Sequence, residues 1–182
     1  MTDHPPPPAT QQAATTAASA AEQANRLLAR TLNIGVNLGA PAEAGWAVPL
    51  GPRELDRCSQ AGFTAVRLVV SLAQHRSPAS SLQVDPAVLD PINDVIESAG
   101  ERGLAVVLAN EIDPELMSDP PRHRDRLLTS TRQLAAGLRH HGADVMLEPL
   151  SEPQAALDLL WNDYLADVIA AVRDADSDRT IV

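Results

Sequence analysis

The sequence predicts an α/β fold built on a parallel sheet, and two observations carry that expectation. Short, continuously apolar runs alternate with longer segments of helical period, and the pattern recurs about every 30 to 40 residues. The runs are continuous rather than alternating, as expected of parallel strands covered on both faces.

Residues 1–28 open with MTDHPPPP and continue in Gln, Ala, Thr and Ser, with hardly any large apolar side chain. Such a segment buries too little surface to offset its ordering entropy, so a disordered tail is expected, turning helical toward Leu28. From residue 29 to 182 the pattern gives strands at 32–38, 64–70, 104–110 and 144–150, with another beginning at 180. The first helix should open at Pro52, bury Leu55 and Cys58, and stop at Gly62. The second should open at Asp85-Pro86 or Asp90-Pro91, carry Leu89, Ile92, Val95, Ile96 and Ala99 on one face, and end at Gly103. Helices at about 122–140 and 156–174 complete the series, with Trp161 and Tyr164 expected to pack against the sheet.

Every helix lies between two strands, which implies right-handed crossovers in either a doubly wound sheet or a (β/α)8 barrel. A barrel typically takes about 250 residues, so this chain would supply the first four β/α units and part of a fifth strand. DRTIV ends inside a strand, from which we expect a truncated chain, or a protomer whose open barrel edge is a route to self-association.

Composition excludes several functions. Fourteen Lys plus Arg against 24 Asp plus Glu leave a net charge of -10, which repels nucleic acid and anionic lipid. No apolar run approaches the roughly 18 residues of a membrane span, and the start lacks a cationic segment followed by an apolar one, so a cytoplasmic chain is expected. One Cys forms no internal disulfide, and two Trp, one Tyr and one Phe make no stacking platform for single strands.

In both architectures, functional groups gather where strands end. Arg67 lies inside an otherwise apolar strand, and a buried guanidinium needs an anionic partner. Alternation along 145–152 puts Glu148, Leu150 and Glu152 on one side of a strand, so Glu148 or Glu152 is the expected counter-ion, as a structural pair or as part of a site. No cofactor or metal is expected. GVNLG lacks the third glycine and the Lys-Ser/Thr pair of a phosphate loop, and His75 and His123 have no metal-site spacing. His140 and His141 suit a helix C-terminus, and Asp113-Pro114 suits the start of a turn.

The segments NIGVNLGAPAEAGW, AGFTAVRLVV, RGLAVVLANEID, VMLEPLSEP, LLWNDYL and DRTIV together resemble, in order and spacing, the N-terminal half of glycoside hydrolase family 5, the cellulase-like (β/α)8 enzymes. The resemblance implies a TIM-barrel glycosidase of the retaining type, acting on a β-linked oligo- or polysaccharide. It puts the acid/base carboxyl on Glu152 and the active-site arginine on Arg67. Ser151 takes the place of the Asn that bonds the sugar 2-hydroxyl, Glu111 and Ile112 take the places of paired histidines, and Val69 replaces a proline. Trp46 is positioned to stack on a sugar.

A retaining mechanism needs a second carboxyl about 5 to 5.5 Å from the first. Glu111, at the rim of the adjacent strand, would approach along the same arc as Glu152, and the family's nucleophile belongs to a seventh strand. Two functions are therefore weighed: a glycoside hydrolase when the barrel is complete, and a non-catalytic relative that binds carbohydrate or assembles with a partner.

Overall fold

The computed structural model describes residues 32–39, 51–77 and 80–182. The expected tail and Trp46 lie outside the described residues. Strands β1 (Gly35–Gly39), β2 (Ala65–Val70), β5 (Ala105–Asn110), β6 (Val145–Glu148) and β7 (Thr180–Ile181) form one sheet in the order β1-β2-β5-β6-β7. Every neighbouring pair in it is parallel.

Strand alternation sorts the side chains into two sets. Val66, Leu68, Val70, Val106, Leu108, Val145 and Leu147 join one core with Leu55 and Cys58 of α1 (Pro52–Gln60), Ile92, Ile96 and Ala99 of α2 (Leu89–Gly100), Leu134, Ala135 and Leu138 of α4 (Pro120–Leu138), and Val172 of α5 (Trp161–Ala175). Ala65, Ala105, Val107 and Met146 form a separate small cluster on the opposite face. Described helices thus cover one face of a sheet whose strands follow chain order. A doubly wound sheet reverses direction and takes helices on both faces, so this is the wall of a (β/α) barrel. Full burial of each such Leu or Val contributes about 1.5 to 3 kcal/mol.

Local sequence explains most boundaries. Gly62 (φ 87) and Gly103 (φ 69) follow α1 and α2 in the left-handed conformation that glycine adopts without strain. Asp85, Asp113 and Asp119, each followed by a proline, accept hydrogen bonds from Ala87 N, from Glu115 N and Leu116 N, and from Arg122 N. Asp as cap and Pro at the first position is the favoured helix start. Asp85-Pro86 therefore opens the second helical segment with a 3₁₀ turn (Pro86–Val88), and Asp90-Pro91 falls inside α2.

Elsewhere the structure departs from expectation. The third helix is continuous as expected, but a short extra helix, α3 (Pro114–Ser118), precedes α4. An antiparallel hairpin, β3 (Arg76–Ser77) and β4 (Ser80–Val84), interrupts the segment after β2. It is too polar to read as strand, and a side chain completes it: Gln133 of α4 accepts from Val84 N at 2.9 Å and donates to Val84 O at 3.3 Å, standing in for a neighbouring strand. Strand β6 stops at Glu148 because Pro149 has no N–H to continue the ladder. Leu150, expected on the Glu148 face, is buried instead in a second cluster with Leu116, Met117, Leu127, Leu157, Tyr164 and Val168. Trp161 packs there too, so it and Tyr164 support the loops after β5 and β6 rather than the sheet. Among the described residues, no helix is long and apolar enough to cross a membrane.

At the other end of the strands, buried Arg179 uses every guanidinium donor. Its Nε donates to Asp176, Nη1 to Gly142 O and Val145 O, and Nη2 to Leu138 O and His141 O. The C-terminus of α4 is capped by this guanidinium and not by imidazole; the His141 ring pairs with Asn93 at 2.9 Å. Replacing Arg179 by Met leaves buried carbonyls and Asp176 without a donor and should remove about 3 to 5 kcal/mol, read as a lowered urea midpoint. Replacing exposed Arg132, which reaches Asp174 at 3.4 Å, should cost under about 1 kcal/mol. Equal losses would count against the cap.

Candidate active site

The C-terminal ends of β2, β5 and β6 lie side by side, and one charged pair spans them. Arg67 sits at mid-strand on the face away from the helices, in register with Val107 and Met146. Its partner is Glu148, two residues farther along β6. The guanidinium donates through Nε to Oε2 and through Nη2 to Oε1, both at 2.6 Å, a bidentate geometry. Between the two strands, β5 offers Ala109 in register with Glu148 and Val69. A methyl group there leaves the long arginine room to cross β5.

Arg67 Nη2 also donates to the Ser151 hydroxyl at 2.8 Å, and Ser151 is only 7% exposed. The Arg67 guanidinium holds the Glu148 carboxyl below its ordinary range against the opposing effect of burial, with further help from Ser151. Glu148 in turn raises Arg67. Ser151 is therefore bonded to the ion pair and largely closed to solvent.

Buried Asn110, the last residue of β5, is a positioning group that sequence reading passed over. Its Oδ1 accepts from Leu72 N at 3.3 Å, its Nδ2 donates to Pro149 O at 3.2 Å, and its carbonyl accepts from Ser151 N at 2.8 Å. One residue thus joins the loop after β2 to the loop after β6. The signal in the sequence was a lone amide closing an apolar strand.

Glu152 follows, exposed and with φ 46, and Ala155 repeats the left-handed conformation at φ 53. For a residue other than glycine this costs of order 1 to 3 kcal/mol and persists only where the surroundings impose it. Here the Ser151 N bond to Asn110 O fixes the chain before Glu152, and fully buried Leu157 fixes it after. Glu152 thus sits at the strand-end rim, beyond the end of the ladder, where its charge adds to that of Glu148 in raising Arg67.

On the neighbouring loop, Ile112 packs into the second cluster and Glu111 remains half-buried. Asp113 caps α3 and also receives Arg126 at 2.5 Å. Glu115 takes Arg76 and Arg126, each at 2.8 Å, which lower its carboxyl to about 2. Among the described residues, no group of His, Cys, Asp and Glu is arranged to hold a metal ion.

The family described as cellulase, glycosyl hydrolase family 5, matches residues 42–182. The chain belongs to glycosyl hydrolase family 5. Over 136 residues it is 24% identical to the cellulase/esterase CelE of Acetivibrio thermocellus, a match covering 70% of this chain and 17% of that protein. The structure of Thermotoga maritima Cel5A in complex with cellobiose superposes with a TM-score of 0.77 at 30% identity, covering 84% of this chain and 51% of that one. Cel5A with mannotriose gives 0.74, covering 81% and 49%. The chain thus spans about half of these family 5 structures and under a fifth of the curated relative.

If the bidentate pair governs Glu148, Arg67→Met should raise the Glu148 titration midpoint, followed by carboxyl-carbon NMR. In the parent, a depressed carboxylate stabilises the fold fully above its ordinary value of about 4.3, and that contribution fades as pH falls through the lowered value. In the variant the half-buried carboxylate keeps only Ser151, burial outweighs that bond, and its effect reverses, so stability falls as pH rises through the new midpoint. An unchanged midpoint would count against the pairing.

Proposed function

We propose that this chain carries the acid/base half of a retaining β-glycosidase site. Glu152 protonates the leaving oxygen of a β-linked glycan and later deprotonates the attacking water. The observation that supports this reading most is the exposed, left-handed Glu152 at the end of β6, one residue after a serine held by the Arg67–Glu148 pair. A strained conformation imposed by neighbouring hydrogen bonds is a common feature of functional positions. In the mechanism the three residues have different tasks. Arg67 and Glu148 fix the loop from beneath, and their mutual neutralisation keeps a free charge from competing with Glu152 for the leaving-group proton. General acid catalysis of this kind supplies roughly 10²- to 10⁴-fold. The nucleophile would come from outside the described residues, because Glu148 is occupied by its two bonds from Arg67. Solved relatives were obtained with cellobiose and mannotriose, which supports a β-linked glycan as ligand class.

A second reading, a relative that binds glycans without cleaving them, is favoured by specific observations. The Ser151 hydroxyl is committed to Arg67, and Ile112 is committed to packing. Neither is free to serve a sugar as the residues they replace would.

The test is an assay of the purified 182-residue chain on aryl β-glucosides and mixed-linkage glucans, with Glu152→Gln as control. No turnover is expected, since without a facing carboxylate no glycosyl-enzyme intermediate forms. Adding azide or formate as a small external nucleophile should then give slow, Glu152-dependent release from an activated aryl glycoside. Glu152-independent release would sink the acid/base role and leave the binding reading. Turnover without any additive would assign the nucleophile to this chain.

A further inference from the structure

Two residues after β6 stand in the left-handed conformation, Glu152 (φ 46) and Ala155 (φ 53), and the surroundings must hold both there. On the near side, the bond from Ser151 N to Asn110 O does so. Between the two strained residues lies Gln154, in extended conformation. Its carbonyl accepts from Leu157 N at 3.2 Å as the 3₁₀ segment Ala155–Leu160 begins, and its N–H donates to the Met117 thioether at 3.4 Å. Met117 belongs to α3, on the loop after β5. It is 5% exposed and shares the second cluster with fully buried Leu157.

A thioether is a weak acceptor, so this bond adds little to stability. What it supplies is direction. The sulfur stays where α3 stays, and α3 is fixed by charges from two other elements. Asp113 caps it and receives Arg126 of α4, while Glu115 receives both Arg126 and Arg76 of the hairpin. From the held amide back to Glu152 there is a single residue, Pro153, whose ring fixes φ and stiffens the connection.

We infer that Met117 is a positioning residue for Glu152: by holding the Gln154 N–H it fixes the far side of the Glu152 turn and aims the carboxyl at the leaving oxygen. The inference deepens the acid/base reading of Glu152 and rests on it. Asn110 and Met117 then grip the turn from its two ends, and both reach it from the β5 side.

The test uses the full 182-residue chain. In the unaltered chain, NMR should show a nuclear Overhauser contact between the Met117 ε-methyl and the Gln154 amide proton, and its absence overturns the inference even if no variant folds. Met117→Leu conserves volume and removes the acceptor, so the Gln154 amide should exchange faster with solvent while the urea midpoint changes little. Catalysis is read with azide as external nucleophile. Azide attacks the anomeric carbon, the bond to the aryl oxygen breaks, and Glu152 delivers its proton to that oxygen. Met117→Leu should release nitrophenol roughly tenfold more slowly at unchanged KM, a part of the roughly 10²- to 10⁴-fold that a general acid supplies. For unsubstituted phenol, a poorer leaving group that depends more on the proton, the loss should be larger. An equal loss with both phenols, or none, overturns the aiming role and leaves the acid/base reading standing. If the unaltered chain gives no Glu152-dependent release, both are overturned.

Discussion

A guanidinium in the middle of a buried parallel strand is the constraint around which this end of the molecule is arranged. Arg67 cannot be desolvated without a counter-ion, and the counter-ion it has lies two strands away. That distance dictates what lies between and beyond. The intervening strand must present something small, the far strand must stop where the carboxylate is needed, and the following residue with a free hydroxyl must turn inward to accept the remaining donor. The exposed acidic residue comes next in the chain because the inward turn has been completed. The loop conformation is thus a consequence of satisfying one cation.

The fold was legible because its signals are local and repeated. Apolar runs and helical periods located the strands and most helices, and the Asp-Pro and Gly punctuation marked their ends. Choosing between a barrel and an open sheet needed the third dimension: the same runs serve both, and only the burial of Val66, Leu68 and Val70 with helices on a single face decides. The hairpin was illegible for a physical reason. Its strands, RS and SSLQV, offer only Leu82 and Val84 as apolar residues, too few to mark a strand, and its pairing is completed by Gln133, some fifty positions later.

The candidate site was readable in composition but not in geometry. A lone Arg in an apolar strand announces an acidic partner, and Glu148 is that partner. Carrying the alternation past Glu148 fails at Leu150, because Pro149 ends the ladder and Leu150 has an apolar cluster of its own to join. Asn110 went unweighed because its role lies in three bonds to loops distant in sequence. Arg179 carries no local signal either, because its donors bind carbonyls at the end of α4 and the start of β6, some forty positions earlier in the chain.

Ala109 takes part in no bond to the ion pair, yet its size determines whether the pair can form across β5. In a comparison of variants it would pass for filler, a residue replaceable by any small or medium apolar side chain. A valine there would add two methyl groups under the arginine's path and would register as a defect of Arg67, two strand positions and one strand away. Tolerance at this alanine is therefore set by a neighbour's reach.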